Sequence, residues 1–167
     1  MSDAVGGSYT LVVDLAADAT LSAGALGEHR LPAGAYAYTG SALGAGGFAR
    51  VDRHRRTARG DHDVRHWHVD SLLGHPAARI DRVVRSAGVD VECQVAQRLP
   101  AGPVDRFGAS DCDCPSHLAG GGRYGGDGDP DDALTSLAER ALAAHEAAVA
   151  ASGDRDAVVE VVSGSDG

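Results

Sequence analysis

The run "SYTLVVDL", residues 8–15, constrains the fold more than any other stretch: it is β-branched and apolar, and "AADAT" ends it. Such a run predicts a strand. A weaker strand is expected over 25–31, before a turn at Pro32, Ala33 and Gly34. "AYAYTG" (35–40) then repeats the strand signal and sets Tyr36 and Tyr38 on one face by the period of two. "RIDRVVRS" (79–86) alternates in the same way. Helices are expected from Phe48 to about Arg59, over 66–74, and over 91–99 after a turn at Gly88, although 91–99 also fits a strand.

The last helix has the clearest start. Asp129 suits the N-cap, Pro130 the first helical position, and Asp131 and Asp132 the positive end of the dipole. Leu134, Leu137, Ala138, Ala141, Leu142 and His145 share one face, and Gly153 ends the helix. The order of elements predicts an α/β (α+β) fold: a small mixed or antiparallel sheet flanked by helices, with an added C-terminal helix. The expected division is a domain over 1–119, irregular from 101, a Gly/Asp-rich linker over 120–129, the helix over 130–152 and an acidic flexible tail over 153–167. No internal repeat is present.

Composition limits what can fill the core. With 2 Phe, 1 Trp and 1 Met in 167 residues, the core must be built from Val, Leu and Ala. All 15 basic residues are Arg, and 19 of the 24 acids are Asp, for a net charge of −9. This Lys-free, Asp-rich pattern looks like that of a salt-loving organism with a GC-rich genome, where net acidity serves solubility. It does not exclude a nucleic-acid partner, so local arginine clusters are the better guide. "MSDAVGG" has no basic segment and no apolar run, and no stretch approaches a membrane span. The expectation is a cytoplasmic protein with no membrane partner.

Arginine is concentrated in one place. "RVDRHRR" (50–56) holds four arginines and His54 directly after the glycine-rich turn at Gly40, Gly44, Gly46 and Gly47. On a helix Arg50 and His54, four apart, share a face, and the planar guanidinium fork matches phosphate oxygens. Glu92 is one of five glutamates and stands among Val91, Cys93 and Val95, where a carboxylate needs a partner or a metal. Each feature also has an ordinary reading: strand tyrosines pack, arginine-rich helix faces are solvated, and Glu92 can be a surface helix residue.

A family resemblance shifts that balance. "GSY" (7–9) with "YTG" (38–40), "YTGSA" followed by "RVDRH", and "VECQVA" resemble the paired signature, essential Arg and metal-binding Glu of the GIY-YIG nuclease superfamily. "LPAGAYAYTGSALG", "HWHVD", "VEC" and "FGASDCDCPSHL" resemble an archaeal and bacterial subfamily, some of whose members are fused to an endonuclease III-like glycosylase. The resemblance covers roughly residues 6–119 and leaves out 120–167.

It implies a metal-dependent endonuclease, with nucleic acid, DNA in the first instance, as substrate and a DNA-repair protein as a possible partner. Tyr9 would be the general base or orient the attacking water, Tyr38 would help position that water, and Arg50 would bind the scissile phosphate. Glu92 would hold one Mg2+ or Mn2+ ion, and His54, or His66 or His68, would assist by hydrogen bonding. Arg53, Arg55 and Arg56 would hold the backbone or be solvated. Ser8 and Thr39 stand where the simplest signature has Ile, and the gap between Tyr9 and Tyr38 is longer than in the tighter hairpins of well-known members. The alternatives are a binding module of the same fold without cleavage and a zinc-stabilised interaction protein. For the latter, Cys112, Cys114 and His117 with Cys93 would make a four-ligand set, against the default of inert thiols.

Overall fold

The β-branched run at the start of the chain becomes the middle strand of a sheet. The structure is a computed structural model that describes residues 6–22, 28–41, 77–99, 118–123, 130–153 and 157–163. Strand β1 (Gly7–Leu15) pairs antiparallel with β4 (Gly34–Ser41) on one side and β5 (Ala78–Ala87) on the other. Beyond these, β6 (Leu118–Arg123) joins β4 and β7 (Val158–Ser163) joins β5, again antiparallel. The sheet order is therefore β6-β4-β1-β5-β7. The fold is α+β, and of the mixed and antiparallel alternatives the sheet is antiparallel.

Between β1 and β4 the chain makes a separate two-stranded ribbon, β2 (Ala19–Ser22) with β3 (Glu28–Leu31). Asp18 fixes its base by accepting the Ala33 amide at 2.8 Å and an Arg30 guanidinium at 2.9 Å. The "AADAT" stop after β1 is thus a turn whose last two residues open a new strand.

Two helices lie on one face of the sheet. Helix α1 (Glu92–Gln97) brings Val95 against the core, with Val91 before it and Leu99 after it. Helix α2 (Pro130–Ser152) lays Leu134, Leu137, Ala138, Ala141, Ala144 and Ala148 over Val12, Ala35, Ala37 and Val84. Alanine on both sides lets helix and sheet approach closely, which is how a chain poor in aromatics closes its interior. Pro130 opens α2, Asp131 and Asp132 follow in its first turn, and Gly153 (φ 76°) stops it in a left-handed conformation suited to glycine. The opposite face carries Tyr9, Leu11, Val13, Leu15, Tyr36, Tyr38, Ile80 and Val83.

Two sequence expectations are corrected by the sheet. Residues 120–123, assigned by their glycines to a linker, are the last four residues of β6, because "LAGGGR" pairs its backbone with β4. Residues 158–163, assigned to a flexible tail, are β7: "VVEVVS" is β-branched and completes the sheet beside β5. The helices expected over 48–59 and 66–74 lie outside the described residues.

Candidate active site

β1 alternates two chemistries. Tyr9 and Leu11 point to one face, and Ser8 and Thr10 to the other, where α2 packs. In the β1–β4 register Tyr9 stands opposite Gly40 and Leu11 opposite Tyr38. Cross-strand partners share a face, so Tyr9 and Tyr38 are diagonal neighbours. The Tyr9 ring lies over Gly40: a Cβ there would fall 2.6 Å from the Tyr9 hydroxyl oxygen and 3.2 Å from the Tyr38 ring. Only glycine allows this approach. Both tyrosines are buried, Tyr9 at 2% exposure and Tyr38 at 7%. The long gap between them in sequence is taken up by the β2–β3 ribbon, which leaves the strand pairing intact.

On the other side of Tyr9 the register sets Arg85 of β5 opposite it. Arg85 pairs through Nε with Glu160 of β7 at 2.6 Å. A guanidinium thus stands on the tyrosine face, at a position that sequence reasoning did not single out. The only signal for it was the alternation of "RIDRVVRS", which could not be placed beside Tyr9 without the register.

Glu92 is brought to the same end of the sheet by Ser8. The Ser8 hydroxyl donates to the Val89 carbonyl at 3.2 Å and accepts the Val91 amide at 2.8 Å. It therefore anchors the residues that lead into α1 beside the start of β1. Glu92 is the first residue of α1 and is half-buried. Among the described residues, no three His, Cys, Asp or Glu side chains converge as a metal cage.

Thr39, the second departure from the simplest signature, is also satisfied internally. Its hydroxyl lies 2.9 Å from that of Thr10, Thr10 lies 2.9 Å from Nε2 of His145, and Nδ1 of His145 lies 2.6 Å from the Ser86 hydroxyl. All four side chains are fully buried. Burial lowers the His145 pKa to about 4, so the ring is neutral at pH 7. A neutral imidazole donates at one nitrogen and accepts at the other, which fits two hydroxyl partners. Sequence periodicity placed His145 on the apolar face of its helix; the hydroxyls of Ser86, Thr10 and Thr39 explain why a polar ring belongs there.

Arg50, His54, Arg53, Arg55, Arg56, Cys112, Cys114 and His117 lie outside the described residues, as does the side chain of Cys93. The arginine-rich segment follows Ser41, which pairs with Ser8 at the tyrosine end of the sheet. The Cys/His segment precedes Leu118, which pairs with Tyr38.

No curated protein and no solved structure matches the chain significantly. A family model, described as a domain of unknown function, DUF123, matches residues 8–139. The match runs through β6 and into α2, beyond the limit near residue 119 expected from sequence motifs. It embraces the paired tyrosines, Glu92 and the first part of the covering helix, and on this ground the chain belongs to the DUF123 family.

Proposed function

We propose that this protein is a metal-dependent nuclease of GIY-YIG type that hydrolyses phosphodiester bonds in nucleic acid, DNA in the first instance. The observation that carries the reading is the pairing of Tyr9 and Tyr38 on one face of adjacent antiparallel strands, with Gly40 beneath the Tyr9 ring. The Ser8 clamp adds to it by bringing Glu92 to that end of the sheet.

In this reading Tyr9 orients the attacking water or accepts its proton, and Tyr38 helps hold that water. Arg50 binds the scissile phosphate and offsets the charge that develops as one P–O bond forms and the other breaks. His54 hydrogen-bonds within the same site, and Arg53, Arg55 and Arg56 hold the flanking backbone. Glu92 is a hard oxygen donor, and one or two carboxylates suffice for a Mg2+ or Mn2+ ion that keeps several of its waters. The bound ion would polarise the phosphoryl oxygen as a Lewis acid. Arg85, paired with Glu160, adds a guanidinium donor on the Tyr9 face.

The test is a cleavage screen with Mg2+ or Mn2+ at high salt, over duplex, single-stranded, flapped and branched DNA and RNA. Arg50→Ala and Glu92→Ala should each abolish cleavage while leaving the fold intact. Full cleavage by Glu92→Ala protein would sink the one-metal account, and binding without cleavage by the unaltered protein would favour a binding module.

A further inference from the structure

Among the described residues, four arginines are neutralised where they stand. Arg30 pairs with Asp18, Arg79 with Asp14, Arg82 with Asp81 and Arg85 with Glu160. Two exposed arginines differ. Among the described residues, no carboxylate pairs with Arg98 or Arg140. The residues three and four positions from Arg140 along α2 are Ser136, Leu137, Ala143 and Ala144, none of them charged. Arg98, just after α1, donates to the Gln94 carbonyl at 3.4 Å.

These two arginines line one open cleft of about 540 Å³, formed by Gln97, Arg98 and Leu99 from the end of α1 and by Arg140, Ala143 and Ala144 from α2. The small side chains of Ala143 and Ala144 leave the cleft open, and Gln97 adds an amide to its lining. Two forks with no carboxylate partner among the described residues, lining one cleft, are suited to an oxyanion with several acceptor oxygens.

We propose that the Arg98/Arg140 cleft is a phosphate-binding site that holds the backbone of the nucleic acid away from the point of cleavage. The nucleic-acid identity of the ligand rests on the functional reading above. Position supports the assignment. Ala144 lines the cleft, and the next residue, His145, bonds to Thr10, the neighbour of Tyr9. The cleft is therefore at the tyrosine end of the sheet, on its helical face. Along α1, Glu92 and Arg98 are six positions apart, about 9 Å at 1.5 Å per residue. That is roughly two to three nucleotide steps at about 3.4 Å per step of one strand. A strand engaged near Glu92 and led along α1 reaches the cleft within a few nucleotides.

The test compares the full-length protein with the Arg98→Gln/Arg140→Gln variant. Affinity for a 20-base-pair duplex is measured over a range of salt concentrations with EDTA present to stop turnover. Cleavage is measured separately with Mg2+. Both side chains are exposed, and a thermal melt checks that the variant folds. The expected result is roughly tenfold weaker binding, with a salt slope lower by roughly 1 to 2 units. An unchanged slope in the variant, while the unaltered enzyme cleaves, would overturn the cleft and leave the nuclease reading standing. A reduced slope in a protein that never cleaves would support the cleft and remove the nuclease. No binding by the unaltered protein would overturn both. In a further arm, inorganic phosphate is titrated and followed by NMR at the arginine side chains. Saturation there with an unchanged duplex slope would assign the cleft to a free anion and overturn the backbone role.

Discussion

Thr10 Oγ1 lies 2.9 Å from Nε2 of His145, which ties the central strand to the last helix across 135 positions of chain. With Ser86 on the other ring nitrogen, this link fixes α2 on three strands at once, since Thr10 also bonds Thr39 on β4. In a low-dielectric interior such a chain of bonds is favourable only while every member has its partner.

Acid should break it. The His145 pKa is about 4 in the folded protein against 6.5 unfolded, so between those values the unfolded chain binds the extra proton. The contribution to stability is complete above pH 6.5 and is lost as pH falls through 6.5 towards 4, approaching about 3 kcal/mol. Denaturant melts at a series of pH values should show this loss. The part due to the ring should vanish in His145→Gln, whose amide does not titrate. Equal pH dependence in the two proteins would assign the acid sensitivity to the carboxylates instead.

Gly40→Ala should destabilise by about 1 to 3 kcal/mol, since the new methyl would sit 2.7 Å from Cζ of Tyr9 and must displace the ring. Tyr9→Ala removes the obstacle. The double variant should therefore be more stable than the sum of the single losses predicts, a coupling that chemical denaturation can measure. Additive losses would mean that the ring is not what Gly40 accommodates.

Ser8→Ala leaves the buried Val91 amide without its acceptor, at a cost of about 1 to 3 kcal/mol. The loss should be local as well as global. Hydrogen exchange should speed up at Val91 and through α1, more than at the centre of β1. If Glu92 acts from α1, cleavage should fall in the same variant even at temperatures where it is fully folded.

The strands and the helix ends were legible in the sequence because their signals are local. A β-branched apolar run marked β1, the period-two tyrosines marked β4, alternation marked β5, and Pro130 with Gly153 bounded α2. β6 was hidden because glycine carries no strand propensity, so "LAGGGR" is a strand only by virtue of β4 beside it. β7 was hidden because a short valine run after a helix has no periodicity that separates it from a tail. In the site, Tyr9 and Tyr38 could be paired from the sequence, whereas Arg85 could not, because its place depends on register. The roles of Ser8 and Thr39 were equally out of reach: as departures from a signature they looked neutral, and only packing reveals their partners.

Removal of residues 154–167 tests the status of β7. It would strip the half-buried Val159 and Val162 from β5 and take Glu160 from Arg85. The expected loss is roughly 2 kcal/mol, seen as a lower melting temperature. An unchanged melting temperature would show that the sheet is complete without its last strand.

The β2–β3 ribbon has a bearing on how kinship with this chain is to be sought. Because β4 returns beside β1 in a fixed register, what keeps the two tyrosines on one side of the sheet is parity, not the number of residues between them. A loop of another length, or no ribbon at all, would preserve the geometry as long as β4 came back in step. Patterns that demand a set spacing from one tyrosine to the next would overlook such a protein, whereas a search for paired strands that match a tyrosine to a glycine across the ladder would recover it.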